Sequence, residues 1–385
     1  MRRYDVIIIG GRVAGASTAL LLARAGWQVL VLDRQRRGSD TQSTHALMRP
    51  AVLQLERWGL LDELVATGVP GQDRVVFHYA DDPVLVEASR RLYAPRRTVL
   101  DPLLVDAAER SGAVFRHGVD VRGLLRDASG AVIGVRARNE HGEAEGLLAT
   151  ITVGADGRSS PTAGMVGAPV TLRGRNASSF VYGYWEGVEA EGYEWCFREG
   201  TSGGVIPTND GLMCAFSGVP SRRFGKLRGY LEDSLLAVLR HTHPGIARRV
   251  AAGRRVEPVR AFPGMPGWLR RAWGPGWALV GDAGHFLDPT TAHGISSALR
   301  DAELLARGID LVLRGEASVE HALGGYERLR DRLSEPLLAA TDAVASFSWE
   351  LDELQGLHIL LSDAMKAEVE VLGALDWLDG REAAA

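Results

Sequence analysis

The sequence predicts an α/β protein with a parallel, doubly wound unit, an inserted sheet that is mostly antiparallel, and a helical C-terminal segment. Three observations carry this. An apolar β-branched run, Val6-Ile7-Ile8-Ile9, is followed at once by a glycine-rich turn and a helix-forming stretch. Between about 173 and 267, apolar residues alternate as they do in half-buried strands. From about 319 to 378 the pattern is helical and amphipathic.

Size and charge narrow the function classes. A chain of 385 residues can bury a substantial core and hold two domains. Its net charge of −4 offers no broad basic surface for nucleic acid or anionic membrane, so the partner expected is a small molecule. Cys196 and Cys214 have no CxxC pair or neighbouring histidine ligands and read as buried free thiols, with no metal site. Met1-Arg2-Arg3 and the apolar residues up to Ala25 imitate a secretory signal, but Asp5, the glycines and Arg12 interrupt them. No segment reaches the ~18 apolar residues of a membrane span. The expectation is a cytoplasmic protein, with a homodimer compatible.

Element by element, Val6–Ile9 reads as a strand buried on both faces. Ala14 to Ala25 is a helix of small residues and leucines ended by Gly26, and Val29–Leu32 is the parallel strand that completes the crossover. Ala51 to Ala66 is helical, with Leu53, Trp58, Leu61 and Leu64 packing inward. Val75–Tyr79 and Pro83–Val86 form a strand pair interrupted by Asp81-Asp82, before a helix from Asp101 to Ser111. Alternating strands and turns fill 114–154. Further strands are expected at Ser179–Trp185, Tyr193–Arg198 and Leu212–Ser217, with Gly204 to Gly211 as a turn bounding the sheet. A helix from about Leu227 to Leu239 crosses it, Trp277–Val280 is another buried strand, and a helix runs from Gly294 to Arg307. Pro336 should kink or break the last helical region.

The turn Gly10-Gly11-Arg12-Val13-Ala14-Gly15 lets a pyrophosphate approach the backbone, and the following helix aims free N–H groups and its positive dipole end at the phosphates. Asp33, with Arg34 beside it, ends the second strand roughly twenty residues on, where an acid accepts hydrogen bonds from ribose hydroxyls. Arg12 stands where a second glycine is usual. By itself this unit allows NAD, NADP or FAD. Two more segments, Val153-Gly154-Ala155-Asp156-Gly157 and Val280-Gly281-Asp282-Ala283-Gly284, each place an acid and a glycine just after a buried strand. Strand ends of this kind are where open α/β sheets bind ligands.

With these three segments in this order, the sequence resembles the class A FAD-dependent monooxygenases, the flavoprotein superfamily with the para-hydroxybenzoate hydroxylase fold. The resemblance spans the chain to about residue 310 and implies FAD as cofactor. It implies a discontinuous, Rossmann-like FAD-binding domain over 1–73, 97–172 and 268–318. The substrate-binding sheet would comprise 74–96 and 173–267, and 319–385 a helical segment. By the same resemblance Asp282 would bond the ribityl chain, and Asp156-Gly157 would lie near the pyrophosphate and the path of nicotinamide. The loop Asp288 to Ser296, with Pro289, Ala292, His293, Gly294 and Ile295, would run along the isoalloxazine ring. Arg97 fits the position before a helix that touches the cofactor, and Arg49 is a second candidate whose alternative is a surface ion pair. His293 is either a charge beside the flavin or a solvent-facing loop histidine. The arginine that usually ends the Asp-Gly segment is missing, with Ala163 or Gly164 near that place.

The superfamily holds hydroxylases, halogenases, dehydrogenases and prenyl double-bond reductases, so the reaction has to come from the substrate side. A halogenase needs a lysine near its substrate, and this chain has only Lys226 and Lys366, neither in a fitting segment. Tyr193-Glu194-Trp195-Cys196-Phe197 is similar to the Tyr-x-Trp-x-Phe-Pro pattern of geranylgeranyl reductases, yet Arg198 replaces the proline, and plain strand alternation also produces it. Tyr182, Tyr184, Trp195, Phe197 and Pro207 are the expected pocket residues, making it aromatic and apolar. The reading is an NAD(P)H- and O2-dependent monooxygenase of an apolar, aromatic or polycyclic metabolite, acting by hydroxylation or epoxidation through a flavin C4a-hydroperoxide. Its alternative is an FAD-dependent reductase without oxygen insertion. His45, His78 and His293 are the candidates for proton movement, with Pro289 shaping the loop.

Overall fold

A computed structural model of the chain describes residues 3–138, 141–227 and 229–375. The strand Arg3–Ile9 lies between Val29–Asp33 and Ala144–Gly154, parallel to both. Its β-branched run serves two cores. Val6 and Ile8 pack with the helix Val13–Arg24 on one face, and Ile7 and Ile9 pack with Val121, Val135 and Leu147 on the other. That double burial is why the run lacks alternation.

Register brings the strand ends into one row. Ile9 stands beside Leu32 on one side and Gly154 on the other, and Leu279 of the parallel strand Trp277–Leu279 stands beside Gly154. Gly10, Asp33, Ala155 and Val280 therefore leave the sheet together.

The second sheet is mostly antiparallel, in the order 254–255, 178–186, 213–220, 201–207, 193–198, 72–79, 82–92. One pairing, between 72–79 and 193–198, is parallel. Its aromatic face shares a core with the helices Val319–Ala345 and Leu351–Gly373, and its other face packs on Leu231–Thr242 and Pro244–Ala252. No described helix is long and apolar enough to cross a membrane. Both cysteines are free and buried.

Several elements differ from expectation. The helix read over 51–66 is two, Arg49–Arg57 and Leu61–Ala66, separated at Gly59 with φ +68°. The helix after the strand pair begins at Arg97, not Asp101, and the one from Gly294 runs to Leu313. The crossing helix is Leu231–Thr242, after a short turn at Phe224–Leu227, with Arg228 outside the described residues. Of the turn expected at 204–211, Gly204 to Pro207 is instead the end of the strand Thr201–Pro207, where a Cβ on Gly204 would stand 2.1 Å from the Glu194 carbonyl oxygen and 2.9 Å from the Phe216 ring, and Asn209–Gly211 is the turn. Pro336 does not interrupt Val319–Ala345, in which it lies on an exposed face. The break comes at 346–350, with Phe347 at φ +54°. Residues 376–378, expected to continue the last helix, lie outside the described residues.

Candidate cofactor and substrate site

A cavity of about 480 Å³ opens where the strand ends meet the aromatic sheet. Its narrow end is built by the glycine turn. A Cβ on Gly10 would stand 2.4 Å from the Ala155 carbonyl oxygen, and one on Gly15 would stand 1.9 Å from that of Gly10. The helix that follows has no side-chain cap and no acid in its first turn, so its N-terminal N–H groups face the cavity at Val13 and Ala14. Gly11 itself does not line the cavity; its N–H donates to Asp33 Oδ2 at 2.6 Å, and the other carboxylate oxygen accepts from the Gln35 N–H at 2.7 Å. Asp33 and Arg34 are thereby held at the rim.

Two arginines line the same end. Arg12 donates to the Asp40 carbonyl at 3.3 Å, and burial, then the charge of Arg97, lower its pKa from the ordinary value. Arg97 is clamped by Asp101 at 2.8 and 3.0 Å. Two half-buried guanidiniums of like charge at one end of a cavity suit an anionic ligand there. Arg49 lies elsewhere, donating to the carbonyl and hydroxyl of Ser362 at 3.0 Å.

Asp156 and Gly157 line the cavity, but the Asp156 carboxylate is turned inward. It accepts from the Ser160 hydroxyl and from the N–H and hydroxyl of Thr162 at 2.8 and 2.7 Å, and so shapes the loop. Asp282 is the reverse case: burial pushes its carboxyl up to about 6, and no hydrogen-bond donor among the described residues reaches it. Gly281, at φ +59°, backs onto Ala14 and leaves the lining to its neighbour. The open glycine cradle, the arginine pair and the donor-hungry Asp282 fit a dinucleotide carrying a diphosphate and a polyhydroxyl chain.

The loop 289–295 closes the wide end, where Pro289, Ala292, Gly294 and Ile295 line the cavity. Asp288 shapes it, accepting from the Ser178 N–H at 2.7 Å, the Ser178 hydroxyl and the Thr290 N–H at 3.0 Å; burial raises its carboxyl to about 7. His293 is neither at the cavity nor in solvent. It is buried and bonds Glu368 at 2.7 Å.

Tyr182 and Trp195 line the cavity together with Phe180, Phe216, Phe262 and Phe286. Tyr184 is outside the lining, with its hydroxyl 2.6 Å from His45 Nε2 and the Arg96 guanidinium 3.8 Å above its ring. Phe197 packs away from the cavity against Trp349 and His358, and Pro207, opposite Met213, is outside the lining. His45 lines the cavity at φ +60°, and its Nδ1 has no partner. Burial first, then Arg96, Arg97 and Arg260, hold its pKa well below the ordinary value, so the imidazole is neutral.

Sequence reading did not single out Phe216, Phe262, Phe286, Arg96 or Glu368. Phe216 had a signal in the alternation of its strand, but the others reach their places only through packing.

The family model described as an FAD binding domain matches residues 3–341. The chain is 25% identical over 350 residues to a tryptophan 2-halogenase of Chondromyces crocatus, covering 84% of this chain and 64% of the halogenase, so it spans under two thirds of that relative's length. It is 24% identical over 392 residues to a digeranylgeranylglycerophospholipid reductase of Thermoplasma volcanium, covering 92% and 91%. Among solved structures, PqsL, a probable FAD-dependent monooxygenase from Pseudomonas aeruginosa, superposes with a TM-score of 0.79 at 23% identity over 93% of this chain and all of that one. At that identity the likeness is one of fold.

Proposed function

We propose that this chain, which belongs to the FAD binding domain family and to its superfamily of monooxygenases, halogenases and geranylgeranyl reductases, is an NAD(P)H-dependent monooxygenase of an apolar, compact, aromatic or polycyclic substrate. FAD is its cofactor. The residues that would hold it are the Gly10–Gly15 turn, Asp33, Arg12, Arg97 and Asp282. When bound, FAD supplies the electrons and the site at which oxygen is activated.

The observation that carries the reading is the aromatic character of the lining: six aromatic rings with one neutral imidazole, His45. Such a lining binds an apolar ring system and excludes water. His45 lines the cavity as a neutral imidazole whose buried Nδ1 has no partner, which makes it the candidate to hold a proton during the reaction. The N-terminus of the helix Gly294–Leu313 points its free N–H groups toward the cavity and favours negative charge there.

Against halogenation, Lys226 and Lys366 are both exposed and neither lines the cavity. Against a polyprenyl reductase, Arg198 pairs with Asp81 at the surface where the reductase pattern has proline. The test is substrate-dependent NAD(P)H oxidation over a panel of aromatic and polycyclic compounds, with and without oxygen and with 18O2. Product carrying the label supports the proposal. Product formed anaerobically from reduced enzyme would overturn it in favour of the reductase.

A further inference from the structure

The helix Leu351–Gly373 lies beyond the residues that the family model matches, yet it reaches back to the cavity loop. Glu368, near its end, is fully buried. One carboxylate oxygen accepts from His293 Nε2 at 2.7 Å and the other from Arg300 Nη1. Arg300, also fully buried, continues the chain to Asp301 at 2.7 Å and Ser334 at 2.6 Å. Burial alone would raise the Glu368 carboxyl, but His293 and Arg300 outweigh it and hold the group below its ordinary value.

His293 sits between Ala292, which lines the cavity in a left-handed backbone at φ +52°, and Gly294 and Ile295, which line it as well. His293 itself does not line the cavity, but its neighbours on both sides do. A buried carboxylate satisfied by two donors tolerates the loss of neither, so the bond to Glu368 confines the loop to one arrangement.

We infer that Glu368 is a positioning residue for the cofactor: through His293 it holds the loop 289–295 in the shape that receives FAD, making the helix Leu351–Gly373 part of the FAD site without lining it. The inference rests on family membership and on the place of the loop, not on the reaction proposed above.

The test measures FAD affinity by quenching of protein fluorescence, and the midpoint potential of the bound flavin, with no substrate present. Four full-length variants are compared with the wild type: Glu368→Gln, His293→Asn, the double variant, and Glu303→Gln. Glu303 is an equally buried carboxylate, held by Gln54, Arg57 and Trp58 away from the cavity. Glu368→Gln and His293→Asn should each weaken FAD binding about tenfold and shift the potential, and the double variant should be no worse than the single ones. Glu303→Gln should lower the melting temperature and leave FAD affinity and potential unchanged. Wild-type affinity and potential in Glu368→Gln overturn the inference, as do additive losses in the double variant or an equal loss in Glu303→Gln. Should Glu368→Gln fail to fold, His293→Asn breaks the same link from the loop side, and wild-type FAD binding by it is equally decisive.

Discussion

The Tyr184 hydroxyl lies 2.6 Å from His45 Nε2, joining the aromatic sheet to the loop after the second strand. Both residues are buried, and the ring of Tyr184 lies under the Arg96 guanidinium. The imidazole that lines the cavity is therefore oriented from behind by Tyr184, which does not line it.

Tyr184→Phe leaves the imidazole without that partner. Stability should fall by about 1–3 kcal/mol in denaturant unfolding, the cost of an unsatisfied buried polar group. A variant as stable as the wild type would show that His45 finds another donor or acceptor.

Because burial, Arg96, Arg97 and Arg260 depress the pKa of His45, the unfolded chain takes up a proton near its ordinary pKa of about 6.5 and the folded chain does not. The stabilisation is present above about pH 6.5 and is lost as pH falls below it. Urea midpoints at pH 7.5 and 5.5 should drop for the wild type and drop less for His45→Gln. Equal drops would assign the acid sensitivity to other groups.

His358 makes the same kind of contribution far from the cavity. Its ring lies against Phe197, Nδ1 is 2.7 Å from the Tyr79 hydroxyl, and burial lowers its pKa to about 4. The stability it confers is present above about pH 6.5 and is lost between there and about pH 4. Thermal melts across this range should separate wild type from His358→Phe, the variant showing the shallower decline.

Asp282 runs the other way, since burial raises its carboxyl to about 6. Only the ionised form is a strong acceptor for a ribityl hydroxyl. FAD affinity should weaken as pH falls below about 6, and Asp282→Asn should bind FAD more weakly without that pH dependence. Titration of FAD into apoprotein at pH 5 and 7.5 tests both statements.

Gly15→Ala places a methyl group 1.9 Å from the Gly10 carbonyl oxygen, so the turn cannot close and FAD should be lost on purification. Arg12→Ala removes a charge and should weaken FAD about tenfold, with a smaller dependence on salt than the wild type. Unchanged affinity in Arg12→Ala would remove that arginine from the phosphate site.

The sequence by itself determined the glycine turn and the strand ends that build the narrow end of the cavity, because its signals are local. A β-branched run, glycines and an acid within one crossover specify Gly10–Gly15 and Asp33, and two short strand-turn segments specify Asp156 and Asp282. It also determined the strands Ser178–Glu186 and Tyr193–Arg198, by alternation. Tertiary structure alone decided which side chains turn inward. His45 meets Tyr184 across 139 residues, His293 meets Glu368 across 75, and Arg49 meets Ser362 across 313. Phe197 shares the alternation of Trp195 but is drawn to Trp349 and His358 by helices packed on its end of the sheet. Local periodicity fixes the face on which a residue stands, and the element packed over that face decides what it touches.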